Sequence, residues 1–314
     1  MKVFIAGATG NLGSLLAQHL AGRHELRLLV HKRQLAESLA VLPGVSAVRG
    51  DLGDTSSLTP VCANIDCVVH VAGVLFAPNP ERFLPETNVA YVKNLLSASL
   101  VCGIKKFILI SFPHVEGETT PESRATDRQD RIPNVVHFRT RLEAEKLVLQ
   151  AAMSSRLRAV ILRAGVVYGK GVKLIEAAKR LGRYRLLAVW NTPTWVHLIA
   201  LPDFLASIES AIENKDAANI YNICDDCPIT LQDFLDRLME HYGYPRPWRL
   251  PVWFFRMLAA AVEEGASVLG TSAPLTRDII AAGMTSSVAD PTRTRRELLP
   301  ALQYPSLNEG IRIL

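Results

Sequence analysis

A short apolar run followed at once by Gly7-Ala8-Thr9-Gly10-Asn11-Leu12-Gly13 opens this 314-residue chain, and that loop restricts the fold more than any other stretch. Val3–Ala6 reads as a strand, and Leu12–Leu20 carries apolar residues at helical spacing, so the three glycines fall at a strand-to-helix turn. In such a turn the first glycine permits the tight bend. The second lets the backbone approach a pyrophosphate, and the third lets the helix pack close to the strand. A pyrophosphate held there faces free N–H groups and the positive end of the helix dipole. Gly7, Ala8, Thr9, Gly10, Asn11, Leu12 and Gly13 are therefore the candidate binding loop for a dinucleotide.

The pattern behind the loop fits an α/β protein. Apolar runs at Glu25–Val30, Val45–Val48, Cys67–Val71 and Lys106–Ile110 alternate with helical patterns at Leu35–Leu39, Ser57–Val61 and Asn88–Val101. Strand–helix alternation predicts a doubly wound parallel sheet with right-handed crossovers. His137–Met153 reads as a further helix and Leu157–Leu162 as a strand. After Tyr168 the rhythm changes. Helices are predicted at Lys173–Leu181 and Asp203–Glu213, the latter with Pro202 at its start, and strands at Trp195–Ile199 and Ile220–Ile223. Thr230 is the predicted N-cap of the next helix. Pro245, Pro247 and Pro251 mark an irregular link, with helices and turns beyond. The boundary expected from this change places a nucleotide-binding domain at 1–168, with later returns to the sheet, and a smaller mixed lobe at 169–314.

The loop spacing Gly-x-x-Gly-x-x-Gly resembles that of the extended short-chain dehydrogenase/reductase family, the group of NAD-dependent epimerases and dehydratases with a Rossmann fold. More matches follow in order. Asp51-Leu52 resembles the family's aspartate beside the adenine, and His70-Val71-Ala72-Gly73 its segment on the nicotinamide side. Thr87-Asn88-Val89, with Asn94, resembles the helix that follows. Leu162-Arg163-Ala164-Gly165-Val166-Val167-Tyr168-Gly169 and Trp195–Ile199 with Asp203 are similar to segments near the nicotinamide and in the substrate lobe. The resemblance implies cofactor contacts from Asp51, Leu52, Val71, Ala72, Gly73 and Asn88, and a homodimer through the His137 helix.

Residues just past the second strand select the cofactor. An acid there bonds a ribose hydroxyl, whereas a base accommodates a 2′-phosphate. The chain reads His31-Lys32-Arg33, with no carboxylate. Lys32 and Arg33 suit a phosphate, so NADP is expected, with NAD as the other candidate.

One element of the family pattern is missing. The family uses a tyrosine and a lysine four residues apart on one helix, with a serine on the preceding strand. Ser111 matches the serine, but none of the seven tyrosines has lysine four residues later. On the corresponding helix, His137 takes the tyrosine position and Arg141 the lysine position. Two readings stay open. In one, Ser111, His137 and Arg141 are catalytic. Arg141 would bond the ribose, and its charge would push the His137 pKa down, in an NAD(P)-dependent oxidoreductase or epimerase-like enzyme. Its substrate would be a hydroxyl or carbonyl of a sterol-, flavonoid- or sugar-like molecule. In the other, the protein resembles the family's atypical branch and is an inactive NAD(P)-binding regulator, redox sensor or assembly factor with a protein partner. His114, Tyr168 and His197 are weaker candidates, and Glu116, Glu118 and Glu122 read as a solvated acidic loop.

Composition narrows the remaining classes. Hydrophobic residues make up 49% and charged residues 21%, as in ordinary globular proteins. A net charge of +5 without a basic stripe argues against nucleic acid and is compatible with an anionic ligand. Cys224-x-x-Cys227 has no second pair or histidines at ligand spacing, so no metal site is expected. No secretory leader is read at the start, and a cytoplasmic location is expected. No stretch reaches the roughly 18 uncharged apolar residues of a membrane span. Val252–Leu269 is read as an amphipathic helix that either packs on the core, the preferred reading, or lies on a membrane surface or a partner.

Overall fold

The computed structural model describes residues 1–73, 79–268 and 275–314. Thirteen strands are found among them: β1 Lys2–Ala6, β2 Glu25–Val30, β3 Val45–Arg49, β4 Cys67–His70, β5 Lys106–Ser111, β6 Arg158–Ala164, β7 Val166–Tyr168, β8 Ala188–Trp190, β9 Trp195–Val196, β10 Leu198–Ala200, β11 Asn219–Ile223, β12 Ile229–Thr230 and β13 Trp248–Leu250. The helices are α1 Asn11–Leu20, α2 Glu37–Ala40, α3 Thr55–Cys62, α4 Pro80–Leu84, α5 Tyr91–Val101, α6 Val136–Met153, α7 Lys173–Arg183, α8 Leu201–Glu213, α9 Leu231–His241, α10 Val252–Val268, α11 Arg277–Met284, α12 Thr292–Glu297 and α13 Leu307–Gly310.

Seven strands form one parallel sheet in the order β3-β2-β1-β4-β5-β6-β11. The chain winds outward from β1 in one direction and then from β4 in the other. Between them lies the topological switch point, where doubly wound sheets bind ligands at the strands' carboxyl ends. Alternation along β1 explains the layering. Val3 and Ile5 join the core shared with Leu16 and Leu20 of α1 and Phe204 of α8. Phe4 and Ala6 join the core on the other face, with Leu95 of α5 and Val148 of α6. Both faces are covered, as a parallel sheet requires.

The remaining strands form small pairings outside the main sheet: β7 with β10, β9 with β12, and β8 with β13. Several sequence expectations need correction here. The predicted strand Trp195–Ile199 is broken at His197 into β9 and β10, which pair with different neighbours. The proline-marked link contains β13, whose partner β8 also lay outside the predicted strands. The helix expected from Asn88 is preceded by α4 and a π-helical stretch, Pro85–Ala90, before α5 begins. Thr230 does cap α9, its hydroxyl accepting from Asp233 N, and Pro202 lies in the first turn of α8. The helix expected to pack on the core, α10, buries Ala259 and Ala266 but leaves Trp253, Phe254, Met257 and Leu258 exposed. Leu269, its predicted last residue, lies outside the described residues. Among the described residues no helix is long and apolar enough to cross a membrane.

Candidate functional site

The glycine loop joins β1 to α1 at the switch point. Gly7 has φ +102°, and a side chain there would place a Cβ 2.5 Å from Ala72 N. Gly10 N donates to Gly7 O at 2.9 Å and closes the turn. At Gly13 a Cβ would collide with the Gly7 carbonyl. The two backbones therefore approach as closely as glycine alone allows. Asn11 anchors the loop: its Nδ2 donates to Gly171 O at 2.7 Å and its Oδ1 accepts from Lys173 N at 2.8 Å. That ties the loop to the start of α7.

Around the loop the other candidate residues form one rim. Lys32 and Arg33 are exposed just past the end of β2. Asp51, beyond β3, lies 3.4 Å from His31 Nε2 and accepts from Gly53 N at 2.8 Å. Leu52 O accepts from Asn94 Nδ2 at 2.9 Å. Past β4, the backbone amides of Val71 and Ala72 both donate to Ala6 O. Next comes Gly73, where a Cβ would lie 2.8 Å from the Arg141 guanidinium.

On α6, His137, Arg141 and Glu145 stand one turn apart and share a buried face. Arg141 is 5% exposed. Its Nη2 donates to Asn88 Oδ1 at 3.2 Å, whereas Nε and Nη1 are buried and have no partner among the described residues. Burial lowers its pKa to about 10. The wide π-helical turn sets Asn88 against α6, where Nδ2 also donates to Thr140 Oγ1 at 3.0 Å. The His137 ring stacks on Phe112 at 4.9 Å. Burial, then the charge of Arg141, lowers its pKa to about 3, so the imidazole is neutral at physiological pH. His114 and His70 are likewise pushed down by burial, to about 4 and about 3. Both ring nitrogens of His70 are buried at the end of β4 and have no partner among the described residues.

Ser111 belongs to a different network. Its hydroxyl donates to Glu145 Oε1 at 2.5 Å. Glu145 also accepts from Arg163 Nη2 at 2.7 Å, and Arg163 Nη1 donates to Glu116 at 2.5 Å. Arg163 is 0% exposed and Glu116 6%. Glu116 is thus no part of a solvated loop. It is a buried ion-pair partner, and burial pushes its pKa up against the pull of Arg163. The structure brings His137 and Arg141 together with Asn88 and Gly73, but ties the serine hydroxyl to the carboxylate one turn further on.

The weaker candidates belong to the interior. Tyr168 is fully buried against Phe234, with its hydroxyl near the Ser306 carbonyl. His197 Nδ1 accepts from Ala289 N at 3.1 Å, and its Nε2 lies 3.5 Å from Asp225. Cys224 and Cys227 are free thiols. Away from the cleft, His24, Glu209 and Glu213 bring ligand atoms within 4.8 Å of one another. Arg23 already bonds both oxygens of Glu209, at 2.6 and 2.7 Å, and His19 bonds one at 2.8 Å, so the cation held there is a guanidinium.

Sequence reading missed the Arg163–Glu145–Glu116 network and the bare His70. The spacing of Glu145, four residues after Arg141, was the available signal for the first. Nothing in the sequence marked the second, because the orphaned nitrogens follow from packing.

Comparison with known proteins gives the family and the fold. Residues 3–224 match the family model of the NAD dependent epimerase/dehydratase family. The 2-alkyl-3-oxoalkanoate reductase of Stenotrophomonas maltophilia is 27% identical over 78% of this chain and 77% of the relative. The UDP-glucose 4-epimerase of Vibrio cholerae is 25% identical over 82% and 80%. Among solved structures, MoeE5 in complex with UDP-glucuronic acid and NAD superposes with TM-score 0.77 at 19% identity, covering 100% of this chain and 97% of that one. The UDP-glucose 4-epimerase of Thermotoga maritima gives 0.78 at 17% identity, with the same coverage.

Proposed function

Because the chain belongs to the NAD dependent epimerase/dehydratase family, we propose that it is a nicotinamide-dinucleotide-dependent oxidoreductase that interconverts a hydroxyl and a carbonyl on a small organic substrate of the sterol, flavonoid or sugar-like class. Its cofactor is NADP(H) in preference to NAD(H). The observation that carries this reading is the Arg141 guanidinium, buried beside Gly73 with Nε and Nη1 unpartnered among the described residues. Buried donors are nearly always bonded, so two orphaned on one charged group point to an acceptor-rich ligand. Ribose hydroxyls of a dinucleotide whose pyrophosphate lies on the Gly7–Gly13 loop meet that need.

Each residue then has a defined part. Gly7, Gly10 and the first turn of α1 hold the pyrophosphate. Lys32 and Arg33 face a 2′-phosphate, and Asp51 the adenine. Arg141, oriented by Asn88, holds the nicotinamide ribose. When bound, the nicotinamide supplies hydride exchange with a carbinol carbon. His137 cannot work as an imidazolium acid, because its charged form is absent near neutral pH. Its part is to position the substrate oxygen as a neutral hydrogen-bonding ring, with the proton exchanged through water.

One observation favours a second reading, in which the nucleotide is a ligand rather than a reactant: the Ser111 hydroxyl is committed to Glu145. Titration of the purified protein with NADPH and NADH, followed by a nicotinamide-absorbance assay over alcohols and ketones, separates the two. Binding with turnover supports the oxidoreductase. Binding without turnover supports the regulator, and failure of both cofactors to bind overturns both readings.

A further inference from the structure

The C-terminal lobe carries an apolar and basic surface that neither the cleft nor the core uses. On α10, Trp253 and Met257 stand one turn apart, as do Phe254 and Leu258, so the four share one face. Trp253 is 63% exposed and Met257 65%. The helix packs inward through small residues, Ala259 and Ala266, and through Phe255 edge-on to Trp190 at 5.8 Å. Four of its large apolar side chains thus point to solvent, unlike those of an ordinary surface helix.

The surface next to the base of α10 is of the same kind. Trp248 is 63% exposed and its Nε1 donates to Arg185 O at 3.0 Å, which joins β13 to the end of α7. Tyr184 and Leu186 flank that arginine and are exposed too. A groove of about 330 Å³ is lined by Trp248, Arg185, Arg246 and Arg249 among others. Arg249 is paired with Asp236 at 2.8 Å. Arg183, Arg185, Arg246 and Arg256 are exposed and make no ion pair among the described residues.

We infer that this face docks on an anionic lipid surface. Exposed tryptophans, methionine and leucine on one helix face supply the part that enters the headgroup boundary, and unpaired arginines beside them supply the attraction to lipid phosphates. Charge decides between occupants. A second copy of this chain would set arginine against arginine across a symmetric contact, whereas a phospholipid surface offers the complementary sign. The groove beside Trp248 then takes a headgroup phosphate. Since no described helix is long and apolar enough to span, the protein lies on the bilayer. The inference stands whether or not the cofactor turns over.

Vesicle flotation of the full chain tests it, with pure phosphatidylcholine against phosphatidylcholine carrying about 30% phosphatidylglycerol, in about 0.1 M salt. The wild type floats with the anionic vesicles, and raising the salt releases it. Trp253→Ser/Met257→Ser weakens partitioning by about tenfold. Each of Arg185→Ala and Arg246→Ala weakens it by about fivefold. All variants keep the wild-type melting temperature, because the substituted side chains are exposed. Failure of the wild type to float with anionic vesicles overturns the inference, as does equal flotation of wild type and variants. A dimer in light scattering that Trp253→Ser dissociates, without vesicle binding, overturns it in favour of a second copy.

Discussion

Replacing Arg141 by methionine separates a ligand-binding role from a structural one, because the two predict opposite signs. Among the described residues, Arg141 makes one side-chain bond, to Asn88 at 3.2 Å, while Nε and Nη1 are buried and unpartnered. Each unsatisfied buried donor costs about 1–3 kcal/mol, against about 1 kcal/mol gained from an ordinary bond. The guanidinium is therefore a net burden on the apo protein, and an apolar chain of similar length relieves it. The melting temperature of Arg141→Met stays level or rises, by roughly 2–4 °C for each kcal/mol recovered in a chain of this size. Cofactor affinity moves the other way. Two charge-assisted bonds to ribose hydroxyls, taken together at about 3 kcal/mol, correspond to a Kd about 150-fold weaker for the variant. Titration calorimetry with NADPH gives the affinity and scanning calorimetry without ligand gives the stability. A Kd that does not move, together with a melting temperature lower by more than about 5 °C, would refute the reasoning. Arg141 would then be a structural cation balanced by Glu145 and Asn88.

Further outcomes follow from the rim and the buried network. Arg33→Glu removes the partner for a 2′-phosphate, so NADPH binding weakens at least about tenfold while NADH binding is unchanged or improved. Equal loss for both cofactors would remove Arg33 from the selectivity role. Arg163→Met leaves Glu116 and Glu145 buried and facing one another, costing about 3–5 kcal/mol and roughly 10 °C of melting temperature. A loss under about 1 kcal/mol would mean that the two carboxylates share a proton at no cost. His70 carries a pH dependence. Its folded pKa is lowered to about 3, from an ordinary value of 6.5, by burial and then by Arg141. The unfolded chain thus binds the extra proton between those values, and stability falls as pH drops through that window. From about pH 7.5 to 5.5 the wild type loses about 1.4 kcal/mol on this account, a loss absent from His70→Phe. Chemical denaturation of both proteins at the two pH values measures the difference, and parallel slopes would show that His70 is charged or bonded in the fold.

How far the sequence reached depended on whether an interaction was local. The glycine loop and the strand rhythm of the first 110 residues are periodic signals, and the sheet order follows from them through the handedness of the crossovers. Thr230 and Pro202 were readable because caps act within one turn. The splitting of Trp195–Ile199 at His197 was not, since each half takes its bonds from a different neighbour, Ile229–Thr230 or Val166–Tyr168. Glu116 was misread for the same reason. A glutamate among glutamates reads as solvated until Arg163, 47 residues on, is seen to close over it. For α10 the sequence favoured packing on the core over a membrane or partner surface, because periodicity shows that a helix has an apolar face but not what covers it; the inward contact is made by Ala259, Ala266 and Phe255.

The departure at His137 and Arg141 is best understood along the whole face of α6. Three successive turns carry a neutral ring, an unsatisfied cation and a fully paired carboxylate. The last of these, Glu145, is bonded to Arg163 on β6 and Ser111 on β5, so it locks the helix to two sheet strands. That lock holds the helix face that carries Arg141 one turn earlier, as the proposed ribose contact requires, and it commits the serine hydroxyl to Glu145. On the proposed reading, the helix is braced where the cofactor is held and weakly equipped where a proton moves. Binding should therefore survive substitution of His137 far better than turnover does. A phenylalanine there preserves the stack on Phe112 and leaves Arg141 beside Gly73, whereas any chemistry that depends on a ring nitrogen is lost.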